Sequence, residues 1–219
     1  MTRVFLNSLK SKKQLKNLVA QNVVSVDSAQ FSLPAMIEGT SLIAQRLASY
    51  DGPFLEDGSQ QEVVNVAALV VYNAGAQEVR QTGIVLEGNG TMLCFYGETI
   101  PPGQTVLLLE RNRRCYQQMQ FTCCTGWQVE AKNAHNPSEY CGITDSAMGA
   151  VTVTNITQRV LEEIHLYYKA WLSPPDIFIG GITRQITIPV LQPGESVTIY
   201  PSHYACGYTK ILSLSLGRI

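Results

Sequence analysis

Charge is scarce in this chain: only 15% of its 219 residues are Asp, Glu, Lys or Arg, and the net charge is −1. The distribution is uneven. Arg3, Lys10, Lys12, Lys13 and Lys16 precede the first acid, Asp27, so the opening segment carries +5, while 11 bases and 17 acids leave the remainder at −6. A mildly acidic body argues against nucleic acid as a partner, and the basic arm is expected to be solvated or to lie near an anionic membrane surface. Long apolar runs are absent too. Nothing approaches the roughly 18–20 residues of a membrane helix, and the start lacks the apolar core of a secretion signal. The chain as written reads as soluble, with a membrane anchor upstream of Lys10–Lys16 as a further expectation.

The six cysteines, Cys94, Cys115, Cys123, Cys124, Cys141 and Cys206, include no CxxC, the tight knuckle that presents two zinc ligands from one turn. Cys115, Cys123, Cys124, His135 and Cys141 place five possible ligands within 27 residues, but adjacent Cys123 and Cys124 on a strand point to opposite faces. No metal or cofactor is expected; a metal- or thiol-dependent protein built on the Cys115–Cys141 segment is the competing class. In an oxidising compartment Cys115 with Cys123 or Cys124 is the candidate disulfide, and buried free thiols acting as small apolar groups are the simpler reading. His135, His165 and His203 lie in no nucleophile–base signature. Glu162 and Glu163 point apart on a strand, and Asp51, Glu56 and Asp57 lack the spacing of an EF-hand loop. The chain is expected not to be an enzyme.

What the sequence does have is a repeat. Ala68-Leu69-Val70-Val71-Tyr72-Asn73 returns 82 positions later as Ala150-Val151-Thr152-Val153-Thr154-Asn155. Ile84 and Leu86 then match Ile164 and Leu166, and Pro102-Gly103-Gln104-Thr105-Val106 matches Pro193-Gly194-Glu195-Ser196-Val197. A period this long is one self-burying unit and not a solenoid repeat. Short β-rich segments separated by Gly, Pro and Asn turns, with Ile186, Ile188 and Val190 on one face, argue for antiparallel sheets. The expected fold is all-β: two tandem Ig-like or fibronectin-type sandwiches from an internal duplication, without the Cys–Trp–Cys hallmark. The boundaries are 1–24 for a basic arm with a short helix, 25–131 for the first module, 132–142 for a polar link and 143–219 for the second module. Leu42 to Ala48 is open between a strand and one helical turn, and Ile177–Ile179 and Arg184–Val190 are read as separate strands across Gly180-Gly181.

Tyr50-Asp51-Gly52-Pro53-Phe54-Leu55-Glu56-Asp57-Gly58, Ile179-Gly180-Gly181-Ile182, Pro193-Gly194-Glu195 and Pro201-Ser202-His203-Tyr204 carry a resemblance. Over residues 50–216 the chain resembles uncharacterised exported or membrane-anchored β-sandwich proteins of gut Gram-positive bacteria. The resemblance implies an extracellular or cell-surface location, the cytoplasm being the alternative, and implies no activity.

Strand parity supplies the candidate binding surface. On 161–170, Ile164, Leu166 and Tyr168 should face a core, leaving His165, Tyr167 and Lys169, with Trp171, on the opposite and solvated face beside the Pro-rich insert that contains Asp176. Flat rings next to a stiff loop suit an unidentified protein or glycan at the cell surface. Tyr167, Lys169, Trp171 and Asp176 are therefore the tentative binding residues of a non-enzymatic interaction or adhesion module. Packing of Tyr167 and Trp171 against the other module is the structural alternative, and a passive spacer is a further functional one.

Overall fold

The computed structural model describes residues 32–132, 134–145, 150–172, 177–201 and 208–218, and the β-branched segments Val63–Val71 and Val151–Val153 fall in strands. The first part contains β1 (Ala35–Met36), β2 (Leu42–Pro53), β3 (Glu62–Asn73), β4 (Val79–Gly88), β5 (Thr91–Ile100), β6 (Thr105–Leu109) and β7 (Phe121–Glu130). A 3₁₀ turn at Pro137–Glu139, capped by Asn136, leads to β8 (Cys141–Asp145), β9 (Val151–Asn155), β10 (Leu161–Leu172), β11 (Ile177–Leu191), β12 (Ser196–Ile199) and β13 (Tyr208–Arg218). No α-helix occurs among the described residues, so the fold is all-β. The basic arm expected at 1–24 lies outside them.

The strands form a seven-stranded sheet in the order β1-β2-β3-β6-β11-β10-β13 and two three-stranded sheets, β5-β4-β7 and β12-β9-β8. One pairing scheme serves both halves. β3 takes β2 and β6 as neighbours while β4 takes β5 and β7; correspondingly β9 takes β8 and β12 while β10 takes β11 and β13. The registers also correspond: Leu69 faces Leu108 and Val71 faces Val106, as Val151 faces Ile199 and Val153 faces Val197. Six of these eight side chains are buried; Val197 and Ile199 are half-buried against the same core as Val151 and Val153.

Each half turns on a buried asparagine at the end of the repeated strand. Asn73 donates from Nδ2 to the carbonyls of Gln77 and Ile100 and accepts at Oδ1 from the Gly75 amide. Asn155 does the same with Arg159, Leu191 and Thr157. The two main chains also hold the Pro-Gly turns alike, Asn73 through Gln104 and Gly103, Asn155 through Glu195 and Gly194. Asparagine carries both donors and an acceptor on a short side chain, which is what closing such a corner in a water-free place requires.

The halves are joined within the large sheet, where β6 runs parallel to β11 at Val106–Phe178 and Leu107–Ile179. Its two faces feed separate cores. Leu69, Val71, Val106 and Leu108 meet Ile84, Leu86 and Phe95 from the β5-β4-β7 side. Ala68, Val70, Leu107 and Leu109 point the other way, into a core with Val151, Val153, Ile164, Leu166 and Tyr168. β3 and β6 are thus covered on both faces, and the apolar stretch at Ala67–Val71 has no solvated alternation for that reason.

One local alternative is resolved and one expectation revised. Leu42 to Ala48 is strand, part of a 12-residue element paired with β3 across two register shifts. Ile177–Leu191 is one strand of 15 residues. Gly180-Gly181 marks a close approach within it: Gly180 has φ +85°, and a Cβ at Gly181 would strike the Tyr96 carbonyl and the Glu56 carboxylate. In the 132–142 stretch, the His135 backbone pairs with Leu214 in both directions and Cys141 pairs with Asn155.

Candidate functional site between the two halves

Parity along β10 holds, yet the face opposite the core is not solvated. Tyr167 is buried, with the Arg80 guanidinium of β4 4.0 Å above its ring and bonded to its hydroxyl. Lys169 is 0% exposed and donates to the carbonyls of Gly180 and Gly181 at 2.9 and 2.7 Å. The first half covers this face, which removes Tyr167 and Lys169 from any exposed platform. His165, nearer the open end of the strand, still meets solvent and bonds Thr187 and Gln185. Trp171 remains half-exposed. Asp176 lies outside the described residues.

Lys169 belongs to a closed polar knot. Glu56, from the loop after β2, accepts from the amides of Leu109 and Gly181 at 2.9 and 2.8 Å. Burial raises its pKa to about 7 against the pull of those amides and of Lys169 and Arg111; burial lowers the Lys169 ammonium to about 8 against the charges of Glu56 and Glu98. Glu98 accepts from the Thr183 amide and so ties β5 to β11 as well. The loop 50–58 and the Gly180-Gly181 strand, distant in sequence, therefore meet here. Lys169, with no accessible surface, acts as a fastening; a buried carbonyl that loses its donor costs about 1–3 kcal/mol.

Trp171 opens onto a groove of about 350 Å³ between the β8 strand and the β10–β13 edge. Its ring packs edge-on against Phe178 with centroids 4.4 Å apart, and Lys210 Nζ sits 4.2 Å from its centroid. Asp145 and Ser138 supply polar wall. An adjoining cavity of about 260 Å³ shares Gln104, Asn136, Pro137 and Leu212 with this groove and is lined by Glu78, His135 and Ser213 as well. The Gln77 and Pro101-Pro102 wall is the corner that Asn73 holds.

Glu78 is 4% exposed. One oxygen meets Arg80 at 3.4 Å; the other, Oε2, has no hydrogen-bond partner among the described residues, and neither has Ser213 Oγ. Burial raises the Glu78 pKa, while the neighbouring Ser213 hydroxyl and Arg80 pull it down. A buried acceptor left unpaired costs about 1–3 kcal/mol, and more when charged. Sequence reasoning missed Glu78, Asp145, Ser213 and Lys210. Ser213 reads as a wet residue between Leu212 and Leu214, and no periodicity distinguishes Glu78 in its turn.

Cys94, Cys115, Cys123, Cys124 and Cys141 are unpaired, so the Cys115 bridge to Cys123 or Cys124 is not formed. Cys124 and Cys141 are buried, which raises each thiol to about 11. No three His, Cys, Asp or Glu side chains converge as metal ligands among the described residues. No helix among them is long and apolar enough to cross a membrane. The chain matches no protein-family model, and comparison with curated proteins finds no match.

Proposed function

We propose that the chain is a non-enzymatic interaction module that takes an extended peptide segment in the groove at Trp171. The observation that carries this reading is the groove itself: a half-exposed Trp171 braced by Phe178, with Lys210 on its face and Asp145 in the wall, beside a cavity holding an unsaturated carboxylate. Braced aromatic rings give a ligand contact area without loss of rotamer freedom, and flanking charges of both signs set its register. The contact surface is thus recentred on Trp171, Lys210 and Asp145. The architecture is read as two tandem Ig-like sandwiches arising by duplication; the repeated registers and the paired asparagine corners support that reading. A bacterial cell-surface location rests on the resemblance over residues 50–216 alone.

The chain has two tryptophans, so Trp127→Phe leaves Trp171 as the sole reporter. Peptide and glycan arrays are screened with the whole protein and with Lys210→Ala and Trp171→Phe, alongside thermal melts. Retention by peptides, a shift in Trp171 emission on binding, and about tenfold weaker retention by both variants, with melting temperatures lowered by no more than about 2–4 °C, are expected. Retention by glycans alone, or loss of stability with no change in binding, would refute the peptide reading.

A further inference from the structure

We propose that the apolar cavity of the first half, between β2 and the chain leading into β7, binds a small monocarboxylate with an apolar body of about nine heavy atoms. The site is independent of the groove at Trp171, with which it shares no lining residue. Its volume is about 220 Å³. Buried Leu47, Met119 and Phe121 line it together with half-buried Leu33 and Tyr116, and all five belong to, or pack against, the core of Leu69, Val71, Ile84 and Phe95. A close-packed core leaves few spaces larger than a water molecule. Here exposed Gln45, Gln117 and Gln118 line the same space as the buried side chains, so the cavity runs from the surface into the core. Gln45, Arg46 and Leu47 sit at a register shift in the β2–β3 pairing, where one extra residue redirects the side chains of a strand.

The lining decides the chemistry of the ligand. Among the described residues that line the cavity, Arg46 alone is charged, and no carboxylate is present. Arg46 is half-buried, and burial lowers its pKa, so an anion beside it favours the charged form that burial disfavours. A guanidinium carries five donors in a fork that matches a carboxylate, which lets a ligand join whatever else Arg46 bonds. A sugar would leave hydroxyls unpaired against Leu47, Met119 and Phe121, and an amine would meet Arg46 with like charge. Size follows by proportion: an apolar cavity of about 150 Å³ holds the six carbons of benzene, so about 220 Å³ holds roughly nine heavy atoms. A phenyl ring on a short chain fills that space and leaves its carboxylate at the Arg46 end.

The test uses the whole chain with isotope-labelled methionine methyl groups, the Met119 signal being assigned by its loss in Met119→Leu. The probes are 3-phenylpropionate, 3-phenylpropanamide, 3-phenylpropylamine and propionate. The aromatic acid is expected to move the Met119 methyl saturably and the amide to bind about tenfold more weakly, while the amine and propionate leave the signal in place over the same concentrations. Arg46→Gln should weaken the acid by about tenfold and leave the amide as it was, which separates a lost ion pair from a damaged cavity. Where Arg46→Gln fails to fold, the order of acid, amide and amine in the native chain still decides. Equal shifts by all three, or a shift by none, overturn the proposal. A Met119 signal that answers to protein concentration or to Phe31→Ala, and not to the acid, assigns the cavity to a second copy or to the chain's own arm and likewise overturns it.

Discussion

Lys169 and Glu56 grip the same residue: the lysine bonds the carbonyl of Gly181 at 2.7 Å and the glutamate accepts from its amide at 2.8 Å. The strand between them belongs to the second half and the glutamate to the first. What the fold obtains is a fixed relation between the halves at the point where β11 runs beside β6.

The first expected outcome is a stability profile with its minimum near neutrality. Glu56 has its pKa raised from 4.5 to about 7, so its contribution is full below 4.5 and is lost as pH rises through 7. Lys169 is lowered from 10.5 to about 8, so its contribution is full above 10.5 and is lost as pH falls through 8. Urea midpoints across pH 4.5–10.5 should trace this trough between about 7 and 8. In Glu56→Gln the decline on the acid side should shrink; an unaltered decline would show that other carboxyls cause it.

A second concerns the charge itself. Lys169→Met leaves the carbonyls of Gly180 and Gly181 without their donor and should lower the unfolding free energy by about 1–3 kcal/mol for each. Lys210→Ala, which loses only its contact with the Trp171 face, should cost about 0.5–1 kcal/mol. Denaturation of both variants at pH 7.5 decides. Equal losses would mean that Lys169 is no fastening.

The third uses the matched corners. Asn73→Ala and Asn155→Ala each strand two carbonyls, and each should cost about 1–3 kcal/mol. The amides of Gly75 and Thr157 lose their acceptors and should exchange faster in the corresponding variant only. A large asymmetry between the two losses would show that one corner has become dispensable.

The strands of the repeat were legible because β9 alternates with Val151 and Val153 turned to a core, while β3 shows as a short run of β-branched and small apolar residues buried on both faces. Parity on β10 was legible for the same reason: Ile164, Leu166 and Tyr168 do point inward. What covers the other face was not, since Arg80 and Glu56 reach Tyr167 and Lys169 from about 90 and 110 residues away, and strand period carries no signal about such a lid. Gly180-Gly181 looked like a break because glycine marks turns as well as close approaches. Of the three candidate binding residues that are described, Tyr167, Lys169 and Trp171, only Trp171 lies on an open groove; Lys210 and Asp145 join it through folding alone.

The two-sided burial of β3 and β6 also orders events during synthesis. Ala68, Val70, Leu107 and Leu109 are complete on the ribosome before Ile164, Leu166 and Tyr168, which share their core, have been added. At about 5–20 residues per second, the 55 residues from Leu109 to Ile164 take roughly 3–11 s, and through that interval the nascent first half displays a bare apolar face. Residues 1–131 produced alone should accordingly bind an apolar dye that the whole chain does not; absence of dye binding would mean that the first half hides this face by itself. A chaperone that shields apolar surface would find its target in that interval, and the growing second half would displace it.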